Sequence, residues 1–302
     1  MIVCFDIGGT AIKGAVAYSP EDIRPFPRQP TPGQDFDAFV GVIRSIIAEA
    51  GETPSCVAIS ICGIIDVDTR RAVVANIPCI HGRLLQQDLE EALGLPVLIA
   101  NDADCFAIAE AGLGAGRGHR VVFGVILGTG VGGGLVVDGR LINSEGGFAG
   151  EWGHGPIAAT EVGEPPVTIP RFQCGCGQKG CIDAICSARG MEKLHAHLTG
   201  ETRTSEDIVK DWEDGALKAS QTIAAFVELL SSPLAMVVNT TGASILPVGG
   251  GLSNATKLLE AIDLAVRAKI LRRFNHPIVV PAQCRLEPGL VGAALLGLAR
   301  PN

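Results

Sequence analysis

The chain has 302 residues, 47% of them apolar, and sets 24 Lys and Arg against 32 Asp and Glu for a net charge of −8. That length accommodates one large domain or two ordinary ones, and the acidic balance argues against nucleic acid or an anionic membrane surface, either of which calls for a basic face. Glycine is the outlier: its 39 residues are nearly double the usual share of about 7% and gather in short loops, where bare backbone can approach a ligand closely.

The apolar run 2–5, the segment Asp6-Ile7-Gly8-Gly9-Thr10 and a second run over 12–18 predict a hairpin. No basic region precedes the first run, so it is not read as an export signal, and the chain is expected to be cytoplasmic. Phe36, Phe39, Val40, Ile43, Ile46 and Ile47 recur at helical spacing, which predicts a helix over 35–50 with Asp35 as cap and Gly51 as stop. Short apolar runs at 57–61 and 97–100 suit buried strands of a largely parallel sheet, with a helix over 84–93 between them and another over 105–111 after them. Four glycines within 112–118 mark a boundary that closes an α/β domain over 1–116.

The second domain, 117–288, repeats the opening device as a strand over 121–127, a glycine loop over 128–134 and a strand over 135–138, the pattern of an internal duplication. The uncharged stretch 121–137 holds six glycines, so it reads as strand, loop and strand rather than a membrane helix. Helices over 184–198, 205–213, 216–238 and 255–272 and strands at 244–248 and 278–280 follow. Ten cysteines, most of them single in apolar runs (Cys4, Cys56, Cys62, Cys105), suggest reduced core thiols rather than a disulfide framework.

Gly128-Thr129-Gly130-Val131-Gly132-Gly133 formally matches the dinucleotide fingerprint, but that fingerprint needs a helix directly after the glycines and here a strand follows. The reading is instead a glycine hairpin whose N–H groups can hold phosphate, as can those of Gly8, Gly9 and Thr10. Gly249, Gly250 and Gly251, between a strand and a helix, leave bare backbone for a flat ligand such as adenine. Asp6 stands where a carboxylate holds the magnesium of a nucleotide or caps its own turn, and Lys13 reaches phosphate or solvent.

Asp102 follows a strand at its carboxyl end, where α/β sheets place ligands, and suits a general base for a hydroxyl nucleophile; capping the helix is its alternative and is the role expected of Asp104. Cys174, Cys176 and Cys181, with His154 twenty residues upstream of the first, supply the three thiolates and one imidazole of a closed structural zinc site. His81, His119, His195, His197 and His276 are expected at the surface.

Asp6-Ile7-Gly8-Gly9-Thr10, Asn101-Asp102, the run 127–134, Gly150-Glu151-Trp152-Gly153-His154, Cys174-Gly175-Cys176-Gly177-Gln178-Lys179-Gly180-Cys181 and Gly249-Gly250-Gly251 together resemble the ROK family (repressors, open reading frames and sugar kinases) over essentially the whole chain. The resemblance implies the actin-like, hexokinase-type ATPase fold, of the ribonuclease H-like class, with two α/β domains around a cleft and the last segment, 289–302, packing back on the first domain. It implies Gly8, Gly9 and Thr10 as the first phosphate loop, Thr129 and Gly130 as the second, and Gly249, Gly250 and Gly251 as the adenosine site. Asp102 is then the general base. Asn101, Glu151, His154 and Asp183 match sugar-binding positions, with Gly63 and Asn76 lining the same pocket.

The implied activity is ATP- and magnesium-dependent phosphorylation of the 6-hydroxyl of an N-acetylhexosamine by a homodimer. The segments 75–78 and 101–107 are most like those of N-acetylglucosamine kinases, whereas 62–65 and 290–294 look more like N-acetylmannosamine kinases; glucose ranks third. DNA-binding members carry a helix-turn-helix ahead of the kinase-like part, and here the first phosphate strand starts at residue 2. Ala11 replaces a common Lys, Asp183 is a methylene shorter than the usual Glu, and an acidic turn before the third glycine loop is replaced by residues 240–243.

Overall fold

In the computed structural model, which describes residues 1–300, the chain opens with β1 (Ile2–Ile7) and β2 (Ala11–Ser19), antiparallel and in register from Ile2 with Ala17 to Ile7 with Ile12. Two short edge strands with no apolar alternation to announce them, β3 (Asp22–Pro25) and β4 (Gln29–Pro30), both pair with β2. The helix α1 (Phe36–Glu49) starts where the Asp35 carboxylate accepts the N–H groups of Asp37 and Ala38, and it buries Phe39, Val40, Ile43 and Ile46. Then come β5 (Val57–Ile61), the hairpin of β6 (Ile64–Ile65) and β7 (Ala72–Val73), α2 (Leu85–Leu93), β8 (Val97–Asn101) and α3 (Asp102–Leu113). The last begins three residues before the expected 105 because Asn101, not Asp104, is its cap: Asn101 Oδ1 accepts the N–H groups of Ala103 and Asp104.

A second hairpin, β9 (Val121–Leu127) and β10 (Val131–Val137), takes Gly132, Gly133 and Gly134 into the strand rather than the loop. They pair with Ile126, Val125 and Gly124 of β9; the Trp152 indole N–H donates to the Gly132 carbonyl at 2.8 Å, and a Cβ on Gly133 would stand 2.9 Å from that nitrogen and 2.7 Å from the Gly124 carbonyl. After β11 (Arg140–Leu141) and the small hairpin β12 (Glu161–Val162) and β13 (Val167–Thr168), the expected helix over 184–198 proves to be two, α4 (Ile182–Cys186) and α5 (Ala188–Thr199). Ser187 interrupts them in extended backbone, and its hydroxyl caps α5 by accepting the Gly190 N–H. The chain ends with α6 (Ser205–Glu213), α7 (Leu217–Thr241), β14 (Leu246–Gly249), α8 (Thr256–Lys269), β15 (Val279–Pro281) and α9 (Pro288–Leu298).

These elements form two units. The first comprises Met1–Gly114, Gly139–Ala149 and the chain from Cys284; the second comprises Ala115–Asp138 and Gly150–Gln283. In the first, the strand order is β3-β2-β1-β5-β8, with β1, β5 and β8 parallel. One face packs Phe5, Ile7 and Ile59 against Phe39, Ile43 and Leu89 of α1 and α2. The other face receives α9 and α3 through small residues: Ala293 and Ala294 lie buried with Cys4, Cys56 and Cys105, and Gly292 lets α9 press against the Cys105 carbonyl. Cys62 departs from the expected core thiols and is exposed.

The second unit has the order β10-β9-β14-β15, an antiparallel hairpin beside a parallel strand, as in β2-β1-β5. By length and composition α7 is apolar enough to cross a membrane, yet it buries Phe226, Leu229, Leu230 and Leu234 in this unit's core, as a central helix does. His195, expected at the surface, is buried with Nδ1 2.8 Å from Thr222 Oγ1.

Candidate functional site

In the first unit the parallel strands end level with one another, since Ile7 pairs with Ile61 and Ile61 with Asn101. Their carboxyl ends therefore place Gly8, Gly9 and Thr10, Gly63, and Asp102 along one edge of the sheet. This is where open α/β sheets bind ligands, because loops leaving a parallel sheet there diverge and leave a crevice. Gly9 and Thr10 are exposed, and a Cβ on Gly9 would come 3.1 Å from Asn76, so the first glycine loop and Asn76 are neighbours.

Asp6 is held from three sides. Ser60 Oγ donates to its Oδ1 at 3.2 Å, Lys13 Nζ lies 3.3 Å from its Oδ2, and Gly289 in the first turn of α9 presses against the carboxylate, where the positive end of a helix favours an anion. Lys13 also pairs with Glu287 at 2.9 Å. Burial works against its charge, but Glu287 and Asp6 together hold the ammonium above its ordinary pKa. The structure thus places Lys13, a candidate phosphate ligand, between two carboxylates.

Asn101 divides its amide between two tasks, capping α3 through Oδ1 and donating from Nδ2 to the Gly63 carbonyl at 2.9 Å. Asp102, the first residue of α3, accepts the Ala103 N–H on Oδ1 at 3.0 Å. Burial raises its carboxyl above the ordinary carboxylate range and the charge of Asp6 adds to this, while the Ala103 N–H and the Cys62 thiol act the other way. The Cys62 thiol is itself pushed up to about 11, by partial desolvation first and then by Asp102. A carboxylate so placed is a better proton acceptor than a free aspartate, the property a general base needs near neutral pH.

Asp104 turns away from this edge. It is buried, and Asn143 Nδ2 donates to its Oδ2 at 3.0 Å. Nothing in the spacing of the sequence joins these two residues, which are 39 apart.

In the second unit two glycine loops meet. β14 lies parallel to β9 with Gly249 opposite Ile126, so Gly250 abuts Leu127 and Gly128, and Gly250 takes a φ of +87° with the Leu127 carbonyl where its Cβ would be. Thr129 and Gly251 are exposed beside this contact. The result is a patch of bare main chain suited to phosphate and a flat heterocycle.

Asp183 joins this patch to the cysteine cluster. Its Oδ1 accepts the Val131 N–H at 2.8 Å, and the Cys174 Sγ lies 3.4 Å from Oδ2. Glu151 and His154 sit on one turn, with Glu151 Oε2 3.8 Å from His154 Nε2. The other ring nitrogen, Nδ1, is 3.6 Å from Cys174 Sγ, and Cys176 and Cys181 sulfurs are 3.6 Å apart.

All four ligand atoms of His154, Cys174, Cys176 and Cys181 lie within 4.8 Å of one another. A tetrahedron with Zn–S near 2.3 Å has ligand edges of about 3.8 Å, so the donor set and its spacing fit zinc. Cys176 is further readied for a metal by the backbone N–H of Gln178, which lowers its pKa.

A sequence profile described as the ROK family matches residues 2–300. An N-acetyl-D-glucosamine kinase of Photobacterium profundum is 38% identical over 303 residues, covering 98% of this chain and 99% of its own. Among solved structures, the ROK hexokinase of Thermus thermophilus is 27% identical, with a TM-score of 0.83 and coverage of 98% of this chain and 97% of its own. A ROK family glucokinase from Streptomyces griseus, solved with glucose and AMPPNP, is 28% identical, with a TM-score of 0.71 and 97% of each chain covered.

Proposed function

Because this chain belongs to the ROK family, and so has the actin-like ATPase fold of its sugar kinases, we propose that it is an ATP-dependent kinase of N-acetyl-D-glucosamine that phosphorylates the 6-hydroxyl. The observation that carries the reading is Asp102, at the carboxyl end of β8 with its proton affinity raised by burial. In this reading its carboxylate takes the proton of the 6-hydroxyl as that oxygen bonds to the γ-phosphorus of ATP. The bond from phosphorus to the β–γ bridging oxygen breaks, and ADP leaves with that electron pair. Magnesium bound with the nucleotide neutralises the phosphates.

The remaining roles follow from position. Gly8, Gly9, Thr10, Thr129 and Gly130 offer N–H groups and hydroxyls to the phosphates, with Asp6 and Lys13 behind the first loop. Gly249, Gly250 and Gly251 lie against the adenosine. Gly63, Asn76, Asn101, Glu151, His154 and Asp183 hold the sugar hydroxyls and the acetamide, Asn101 and Asp183 by orienting main chain as well. His154, Cys174, Cys176 and Cys181 hold a structural zinc that fixes the turn bearing Glu151. We assign the enzyme to the cytoplasm and to a homodimeric state, which sedimentation velocity checks.

The test is ADP release from ATP and magnesium with N-acetylglucosamine, N-acetylmannosamine and glucose. The highest kcat/KM with N-acetylglucosamine supports the reading, a preference for N-acetylmannosamine reassigns the epimer, and no activity with any sugar overturns it.

A further inference from the structure

Residues 139–149 leave the second unit's hairpin and belong to the first unit, returning at Gly150, one residue before Glu151. Within that excursion Asn143 is nearly buried and uses its whole amide. Nδ2 donates to Asp104 Oδ2 at 3.0 Å and to the Ala149 carbonyl at 2.7 Å, and Oδ1 accepts the Ala149 N–H at 3.2 Å; its own carbonyl accepts the Gly146 N–H at 3.0 Å. One side chain thus closes residues 143–149 into a loop and fastens it to the first turn of α3, two residues from Asp102.

The loop is shaped for this seat. Gly147, at φ +135°, would place a Cβ 2.8 Å from Asn143 Oδ1, and Gly146, at φ +93°, would place one 2.7 Å from the Ile65 carbonyl, so neither position admits a side chain. Arg70 reaches across to the Glu145 carbonyl at 2.9 Å, which ties the loop to the β6–β7 hairpin that covers Gly63. The loop is therefore bounded by the base-bearing turn of α3, by the hairpin over Gly63, and by the chain entering Glu151. Those are the neighbours of the sugar in the reading above.

We propose that Asn143 and Asp104 are positioning residues for the sugar: they latch loop 142–149 to the helix that carries the general base, and the loop forms a fixed wall of the amino-sugar pocket. The inference rests on the kinase reading and adds to it two residues that touch neither substrate. The latch orders a polar loop that has little apolar burial of its own, since Ile142 and Phe148 are both exposed. A buried hydrogen bond to a carboxylate is strong enough for this because charge-assisted bonds are shorter and about twice as strong as neutral ones.

The experiment compares wild type with Asn143→Ala and with the exchange Asn143→Asp/Asp104→Asn, which reverses donor and acceptor across the latch. The readouts are KM for N-acetylglucosamine, KM for ATP, and amide hydrogen exchange at Ala149. Asn143→Ala is expected to raise the sugar KM by about tenfold, leave the ATP KM within about twofold, and remove protection at Ala149. The exchange restores a bond across to position 104 and keeps an acceptor for the Ala149 N–H, but it loses the donor to the Ala149 carbonyl, so it is expected to recover the sugar KM only in part. Equal rises in both KM values, no change in the sugar KM on Asn143→Ala, or an Ala149 amide that stays protected in that variant overturns the inference. A wild type with no sugar kinase activity but a protected Ala149 amide overturns the kinase reading instead.

Discussion

The Asp183 carboxylate accepts the Val131 N–H on one oxygen and faces the Cys174 sulfur with the other, so a single side chain ties the second glycine loop to the Cys/His cluster. A Cβ at Gly130 would stand 2.9 Å from Asp183 Oδ1, so the carboxylate holds its place only against a glycine. Asp183→Ala leaves the Val131 N–H without its acceptor at a cost of about 1–3 kcal/mol. It is expected to raise the ATP KM as well as the sugar KM, whereas Asp183→Asn, which keeps an acceptor, affects ATP less; steady-state kinetics with each substrate varied in turn decides this.

Asp102→Asn is expected to lower kcat by about a hundredfold or more, the scale of a lost general base, while N-acetylglucosamine binding measured by calorimetry is retained. Near wild-type turnover would exclude Asp102 as the base.

The same residue sets two pH dependences. The base works ionised, and its pKa is raised, so kcat/KM should fall on acidification at a pH above the ordinary aspartate range. For stability the sign is opposite. A folded-state pKa above the unfolded value contributes stability that is present below the unfolded pKa and is lost as pH rises through the folded pKa. Asp102→Asn should therefore melt higher than wild type at pH 7 to 8, with the gain disappearing at a pH of about 4 and below; thermal melts across this range check it.

Metal analysis of the purified protein is expected to give about one zinc per chain, and Cys176→Ser to lower that content. Since the cluster adjoins Glu151 and Asp183, chelation should weaken sugar binding before it unfolds the second unit, which contains it. Wild-type protein free of zinc yet fully active would remove the metal from the account.

Gly250→Ala must adopt a positive φ and meet the Leu127 carbonyl. Strain of about 1–3 kcal/mol is expected, seen as a lower melting temperature together with a raised ATP KM.

Much of this was legible in the residues. The hairpins around 6–10 and 128–130, the strand before Asp102 and the Cys/His set each carry a local signal, either a change of period or a fixed spacing. The parts that could not be read depend on partners far apart in the chain. Asn101 and Asp104 are both good caps by type, and only the burial of Asp104 against Asn143 decides which one serves. The glycines 132–134 have the composition of a loop, and the Trp152 indole that lies against Gly133 is about 20 residues away in the chain. Lys13 pairs with Glu287, from the far end of the chain, a partner that no local spacing announces. Ser187 splits a helix that periodicity alone would run straight through.

The meeting of residues 128–130 with 249–251 also bears on how such a protein can diverge. Main chain presents the same atoms whatever the codon, and Gly250 admits no side chain, so this patch offers few single substitutions that tune recognition and several that abolish it. Loop 142–149 is different: its exposed positions can change while the Asn143 latch stays in place. A mutational library aimed at new acceptors would accordingly be richest in survivors at Ile142, Ser144 and Phe148, and poorest at the glycines of the nucleotide side.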